Sequence, residues 1–277
     1  MLTTTVDGLW ALQVLTGIET VAPELGLRPL LPSVEPRSLA LRHPVTAELR
    51  AAGVVDESGA VDGIVLEWLT VLARRDIGLF VQLRGPGDEE PARALLARFA
   101  QWWVALERSA DLIRISAAGT SSAEGSAGNV IRAQIERWCG QHAPATLRPV
   151  TLAAEALRAA SVSRSELDAF IGSQGLESDQ VRLLTLAADP RRSAQASIVA
   201  VQTGVATGRS LRTHVEAGAV TVIDTPEGRL VAEDVDSAGR KWMIIAPGTI
   251  GNIAGAINRM MRRLPAEQEW FSYRKVV

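Results

Sequence analysis

The sequence predicts an α+β fold of two quasi-symmetric halves, each a mostly antiparallel sheet with flanking helices. Three observations carry this. Helix-like and strand-like apolar periodicities follow one another in an order that appears twice along the chain. Ile77, Leu79, Val81 and Leu83 alternate with Gly78, Phe80, Gln82 and Arg84, the period of two of a strand with one apolar face. In IDTPEGRL (residues 223–230), Pro226 and Gly228 punctuate two Val-rich runs, the signature of a hairpin, and antiparallel pairing there counts against a parallel dinucleotide-binding sheet.

The elements follow in order. In the amino-terminal stretch MLTTTVDGLWALQVLTGIE the apolar run is broken by Asp7, Gly8 and Gln13 and has no basic leader, so it does not read as a signal peptide. Residues 43–76 give two helical segments divided by Gly53 and the turn DESG, with His43 before Pro44 at a helix entry. After the strand at 77–84 comes the solvated loop GPGDEEP, then RFAQWWVALER as a strand. Trp102 and Trp103 are adjacent in it and must face opposite ways, one into the core, the other either beneath a helix or on a binding surface. DLIRISA is a further strand, GTSSAEGSAG (119–128) has the composition of a flexible linker, and NVIRAQIERWCG is a helix.

The second half repeats the plan: two helical segments within 163–190 divided by Gly175, strands in SAQASIVAVQTG, AVTVIDTPEGRLVAEDV and RKWMIIAPG, and the closing helix TIGNIAGAINRMMRRL. The expected organisation is an amino-terminal half, 1–141, a connecting segment, 142–165, and a carboxy-terminal half, 166–277, packed as one compact unit.

At 277 residues the chain can bury roughly 75% of its unfolded surface and needs no disulfide or metal to fold. Its single cysteine, Cys139, lies on an apolar helix face, the setting of a structural thiol in a reducing compartment. No stretch approaches the roughly 20 apolar residues of a membrane span, so a soluble, cytoplasmic protein is expected. Basic residues number 29 against 31 acidic, for a net charge of −2, with lysine only at Lys241 and Lys275. Without a basic cluster there is no electrostatic footprint for nucleic acid.

The stretch KWMIIAPGTIGNIAGAINRMMRRLP has the layout of a nucleotide site, strand to glycine turn to helix. Its glycines, Gly248, Gly251 and Gly255, are spaced GxxGxxxG, which is neither the dinucleotide nor the P-loop pattern. Packing explains every residue: Thr249 as N-cap, Ile250, Ile253, Ile257, Met260 and Leu264 as one apolar stripe, Gly251 and Gly255 for close approach to the sheet, Arg262 and Arg263 in the last turn. His43, His142 and His214 are isolated, which excludes the usual metal-ligand spacings, and Asp88, Glu89 and Glu90 read as a solvated turn. No nucleophile, base and orienting group stand together. Trp270, Phe271 and Tyr273 read as a segment that docks back onto the fold.

The VDG opening, the IDTPEGRL hairpin, the APGT turn before the last helix and the LP then EW ending run in that order over nearly the whole chain. In these motifs it resembles the EspG family of ESX (type VII) secretion-associated chaperones of mycobacteria, closest to the paralogue of the second ESX system. The resemblance implies two quasi-symmetric α+β halves, no catalytic activity, no cofactor and no small-molecule substrate. It implies a cytosolic partner, a PE/PPE heterodimer, whose apolar PPE tip is covered so that the substrate stays soluble and reaches its own export machine. By similarity the contact surface maps to one face of the strand in QASIVAVQTG, Ser197, Val199, Val201 and Thr203, and to Thr221, with Arg84, Asp88 and Glu89 at the early loop. Two other readings stay open on the residues: a nucleotide-dependent enzyme using Gly248 to Gly255, and a scaffold of the secretion machine.

Overall fold

The computed structural model describes residues 1–207 and 210–275. The first half runs β1 (Leu2–Thr5), α1 (Val6–Thr16), α2 (Arg37–Arg42), α3 (Pro44–Ala51), α4 (Gly63–Arg74), β2 (Ile77–Arg84), β3 (Ala92–Phe99), β4 (Trp102–Ser109), β5 (Leu112–Thr120) and α5 (Glu124–Cys139). The second runs β6 (Val150–Ala153), α6 (Ala154–Ala160), α7 (Arg164–Ser173), α8 (Ser178–Ala187), β7 (Ala194–Thr207), β8 (Ser210–Val215), β9 (Val220–Thr225), β10 (Gly228–Ser237), β11 (Arg240–Pro247) and α9 (Ile250–Met261).

The antiparallel α+β plan is as expected, but the halves share a single 11-stranded sheet where the repeat suggested two. Its order is β1-β5-β4-β3-β2-β7-β9-β10-β11-β6, with β8 also paired to β7. Counted outward from the β2–β7 seam, the two sides match strand for strand, and α4 matches α8 as α5 matches α9. The stretch 142–165, read above as a connector, carries β6 and α6, the counterparts of β1 and α1. β8 has no counterpart among the described residues of the first half.

One face of the sheet is closed by α5 and α9. Ile131 and Ile135 of α5 and Ile253, Ile257 and Met260 of α9 bury against Ile77, Leu79, Val81, Ile198, Ala200 and Val222. Full burial of each such side chain is worth about 1.5–3 kcal/mol. On the opposite face two separate helical layers pack. α1, α3 and α4 cover Leu95, Ala97, Val104 and Leu106, and α7 and α8 cover Ile223, Leu230, Ala232 and Ile245. Between those layers runs the middle of the sheet.

Local readings divide. Thr249 caps α9, its Oγ1 accepting from the Asn252 N–H at 3.1 Å. His43 caps α3 through Nδ1, which accepts from the Val45 N–H at 3.3 Å. Arg262 and Arg263 close the helix with ion pairs to Glu124 and Glu216. Ile250, assigned to the buried stripe, is instead 59% exposed. Gly251 does not face the sheet, since a Cβ there would meet nothing within 4 Å. GTSSAEGSAG is no linker: α5 begins at Glu124, and Ser121 is buried, its Oγ accepting from Trp103 Nε1 at 2.8 Å. RFAQWWVALER divides at Ala100, whose φ of 56° makes the turn between β3 and β4. Trp103 is buried and Trp102 is 53% exposed, so no helix covers the second indole.

Candidate partner-binding surface

The seam pairs β2 and β7 in register, Gly78 with Val201, Phe80 with Val199, Gln82 with Ser197 and Arg84 with Gln195. Side chains alternate across a strand. With Leu79, Val81, Ile198 and Ala200 committed to the closed face, Phe80, Gln82, Ser197 and Val199 must point the other way, into the gap between the two helical layers. Thr221 of β9 joins them, its Oγ1 3.1 Å from Ser197 Oγ. The result is a partly open strip along the middle of the sheet, apolar at the Phe80–Val199 pair, where Phe80 also leans on the first helical layer, and hydroxyl-bearing at Ser197 and Thr221.

Of the residues assigned by resemblance, the fold brings Ser197, Val199 and Thr221 together, half-buried, on this strip. Val201 shares their face but is buried at 3% exposure, packed where a Cβ added to Gly78 would lie 3.0 Å from its Cγ2. Thr203 is held by the fold: its N–H donates to the Asp76 carbonyl at 2.9 Å, its hydroxyl to the carbonyls of Arg75 and Asp76, and its own carbonyl accepts from Tyr273 OH at 3.0 Å. Arg84, Asp88 and Glu89 are exposed at the rim. Their loop is braced by the Asp88 carboxylate, which accepts from the Gly85 N–H at 2.7 Å. The Gly87 N–H donates across to Pro190 of the other half at 2.9 Å. Sequence reasoning passed over Phe80 and Gln82 as site residues, although the alternation in β2 had already set them on the face away from its apolar stripe.

The glycine turn lies on the opposite side, where α5 and α9 leave a groove of about 1080 Å³. Gly248 packs against backbone, its N–H donating to the Arg229 carbonyl at 2.7 Å, and a Cβ there would come within 2.8 Å of that carbonyl carbon. Arg229 is committed: Nε and Nη2 donate to the Asp224 carboxylate at 2.6 and 2.8 Å, and Nη1 and Nη2 to the carbonyls of Gly140 and Cys139 at the end of α5. Arg132, also in the groove, pairs with Glu136. Among the described residues, the arginine at the base of the glycine turn, Arg229, is thus held by the fold. Burial pushes the nearby Cys139 thiol up to about 11, so it stays protonated at neutral pH.

The carboxy-terminal segment docks on the closed face. Trp270 is buried, the fully buried Arg98 donates to the carbonyls of Phe271 and Tyr273, and the Lys275 N–H donates to Asp76 Oδ1 at 3.0 Å. Desolvation lowers the Arg98 guanidinium to about 10, opposed by the neighbouring Asp76. Among the described residues no group of three or more His, Cys, Asp or Glu is placed to hold a metal, and no helix is long and apolar enough to cross a membrane.

A family model described as the EspG family matches residues 5–259. The chain is 50% identical over 277 residues to the ESX-2 secretion-associated protein EspG2 of Mycobacterium tuberculosis, covering 100% of both. It is 28% identical over 272 residues to the ESX-3 secretion-associated protein EspG3 of Mycolicibacterium smegmatis, covering 96% of this chain and 88% of that one. Among solved structures, the Mycobacterium tuberculosis type VII secretion system chaperone EspG5, in complex with the PE25-PPE41 dimer, matches the fold with a TM-score of 0.72 at 23% identity, over 96% of this chain and 98% of that one. With the match running from β1 into α9, and half of all residues shared with one member, the chain belongs to the EspG family.

Proposed function

We propose that the chain is a cytoplasmic, cofactor-free chaperone without enzymatic activity, which binds a PE/PPE heterodimer and directs it to its ESX system. The observation that carries this is the partly open strip at the middle of a sheet whose fold is that of a chaperone solved with a PE25-PPE41 dimer. A helical tip with an apolar end is an aggregation liability until something covers it. The Phe80–Val199 pair gives such a tip an apolar centre, and the hydroxyls of Ser197 and Thr221 give it hydrogen-bonding partners. Arg84, Asp88 and Glu89 then form the polar rim that surrounds the core of most interfaces, while Val201 and Thr203 shape the strand beneath. The kinship to EspG2 points to a pair exported by the second ESX system.

Co-expression with PE/PPE pairs from the same secretion locus, followed by affinity capture and size-exclusion chromatography, tests the reading. A co-eluting 1:1:1 complex is expected. If every pair of the panel elutes apart from the chain, the reading fails.

A further inference from the structure

A second feature borders the strip. Arg93 of β3 and Arg108 of β4 are directly opposed in the ladder, and both lie on the strip's face, in step with Leu95 and Leu106. Like charges directly opposite across strands repel one another. Arg108 is anchored, Nη1 donating to the carbonyls of Leu25 and Gly26, each at 2.9 Å, and Nε to the Ala110 carbonyl at 3.0 Å. Arg93 makes no hydrogen bond or ion pair among the described residues, although it is half-buried.

The two guanidinium groups reach one point in space. A Cβ added to Gly26 would lie 3.0 Å from Nη1 of Arg93 and 3.2 Å from Nη1 of Arg108. With Glu90 and Pro91 they line a recess of about 370 Å³. Glu90 is exposed and pairs with neither arginine. The recess also continues the strip: Arg108, Arg93, Gln82, Ser197 and Thr221 are successive register partners across β4, β3, β2, β7 and β9. At a strand spacing of about 4.8 Å, Arg93 stands about 10 Å from Ser197.

We infer that Arg93 and Arg108 form an oxyanion pocket that receives a carboxylate side chain from the protein seated on the strip, an inference that rests on the partner reading above. The unengaged guanidinium fork of Arg93 suits the planar, two-oxygen geometry of a carboxylate, with the charge of the anchored Arg108 beside it. The incoming charge also relieves the repulsion that the free chain carries. Arg93 supplies unused donors, and Arg108 supplies a fixed positive charge.

Arg93→Ala and Arg93→Glu in the full chain test it, with Kd measured against the captured PE/PPE pair at low and high salt. Arg93→Ala should weaken binding by about tenfold or more, Arg93→Glu further, and both should flatten the salt dependence. Since Arg93 holds nothing in the fold and faces a like charge, neither variant should lower the free chain's melting midpoint, and relief of the repulsion with Arg108 should hold or raise it. Wild-type Kd in both variants overturns the pocket and leaves the strip reading standing. A wild-type chain that captures no pair removes both. The same variants are melted with inorganic phosphate: stabilisation that Arg93→Ala abolishes, with Kd for the pair unchanged, overturns the partner carboxylate in favour of a free anion.

Discussion

Leu79 and Phe80 are neighbours in β2 and live in different environments. Leu79 is fully buried beneath α5 and α9, whereas Phe80, opposite Val199 on the other face, is only half-buried, packed at the edge of the first helical layer. The middle of a sheet is ordinarily where burial is deepest, and here, along Phe80, Gln82, Ser197 and Val199, it is deep on one face only. Antiparallel sheets tolerate a solvated face because the other supplies the core. The closed face can therefore stabilise the fold without the other, and on the reading proposed above the partner's face and the core's face separate by single-residue steps along one strand.

The largest effect expected is at Leu79. Leu79→Ala should cost about 2–5 kcal/mol in a denaturant titration and leave the protein that remains folded able to bind its pair. Val199→Asp should cost only about 1 kcal/mol, the span of strand propensity, and abolish the complex on size exclusion. A Leu79→Ala chain that folds but does not bind, or a Val199→Asp chain that binds, would break the division between the faces.

The helical layer beside the strip offers an intermediate test. Glu35 is nearly buried, its Oε2 accepting from the Leu31 N–H at 2.7 Å and its Oε1 from Trp10 Nε1 at 2.9 Å, with Arg28 at 2.7 Å. The Leu31 hydrogen bond foremost, then those from Arg28 and Trp10, hold the carboxyl below its ordinary range against the opposing effect of burial. Glu35→Ala should cost about 1–3 kcal/mol at neutral pH by orphaning those donors. Because the folded-state pKa is depressed, the stabilisation is present above the unfolded value of about 4.3 and is lost as pH falls through the folded one. The gap between wild type and variant should therefore close in acid. Binding should survive, which would show that the layer supports the strip without being part of it.

Much of this was readable locally. The IDTPEGRL hairpin, the alternation in β2 and the Thr249 cap each rest on a few neighbouring residues whose preferences agree with the fold. β3 escaped because it is buried on both faces, Leu95 and Ala97 toward one layer, Ala94 and Leu96 toward the other, which erases the alternation that announces a strand. GTSSAEGSAG misled because the first turns of α5 present small residues. The single sheet was out of reach for a different reason: periodicity says that β2 and β7 are strands and nothing about their lying side by side. For the proposed site, side-chain parity put Ser197 and Val199 of β7 on one face, which the register bears out as geometry. It could not show that Val201 sinks beneath that face, or that Thr203 is claimed by Arg75 and Asp76, more than a hundred residues earlier.

Thr203 sets up the smallest and most discriminating test, because it marks where β7 passes from one role to the other. Tyr273 OH donates to the carbonyls of Thr203 and Gly204 at 3.0 and 3.1 Å, tying the far end of β7 to the docked carboxy-terminal segment. Tyr273→Phe removes only those two bonds and should cost about 0.5–1.5 kcal/mol. If the strip ends before Thr203, Kd for the partner stays at the wild-type value while the denaturation midpoint falls. A loss of affinity beyond the loss of stability would mean that the docked segment holds β7 in its binding geometry. The closed face would then be tuning the open one through the strand they share, and the two faces would be coupled rather than merely opposed.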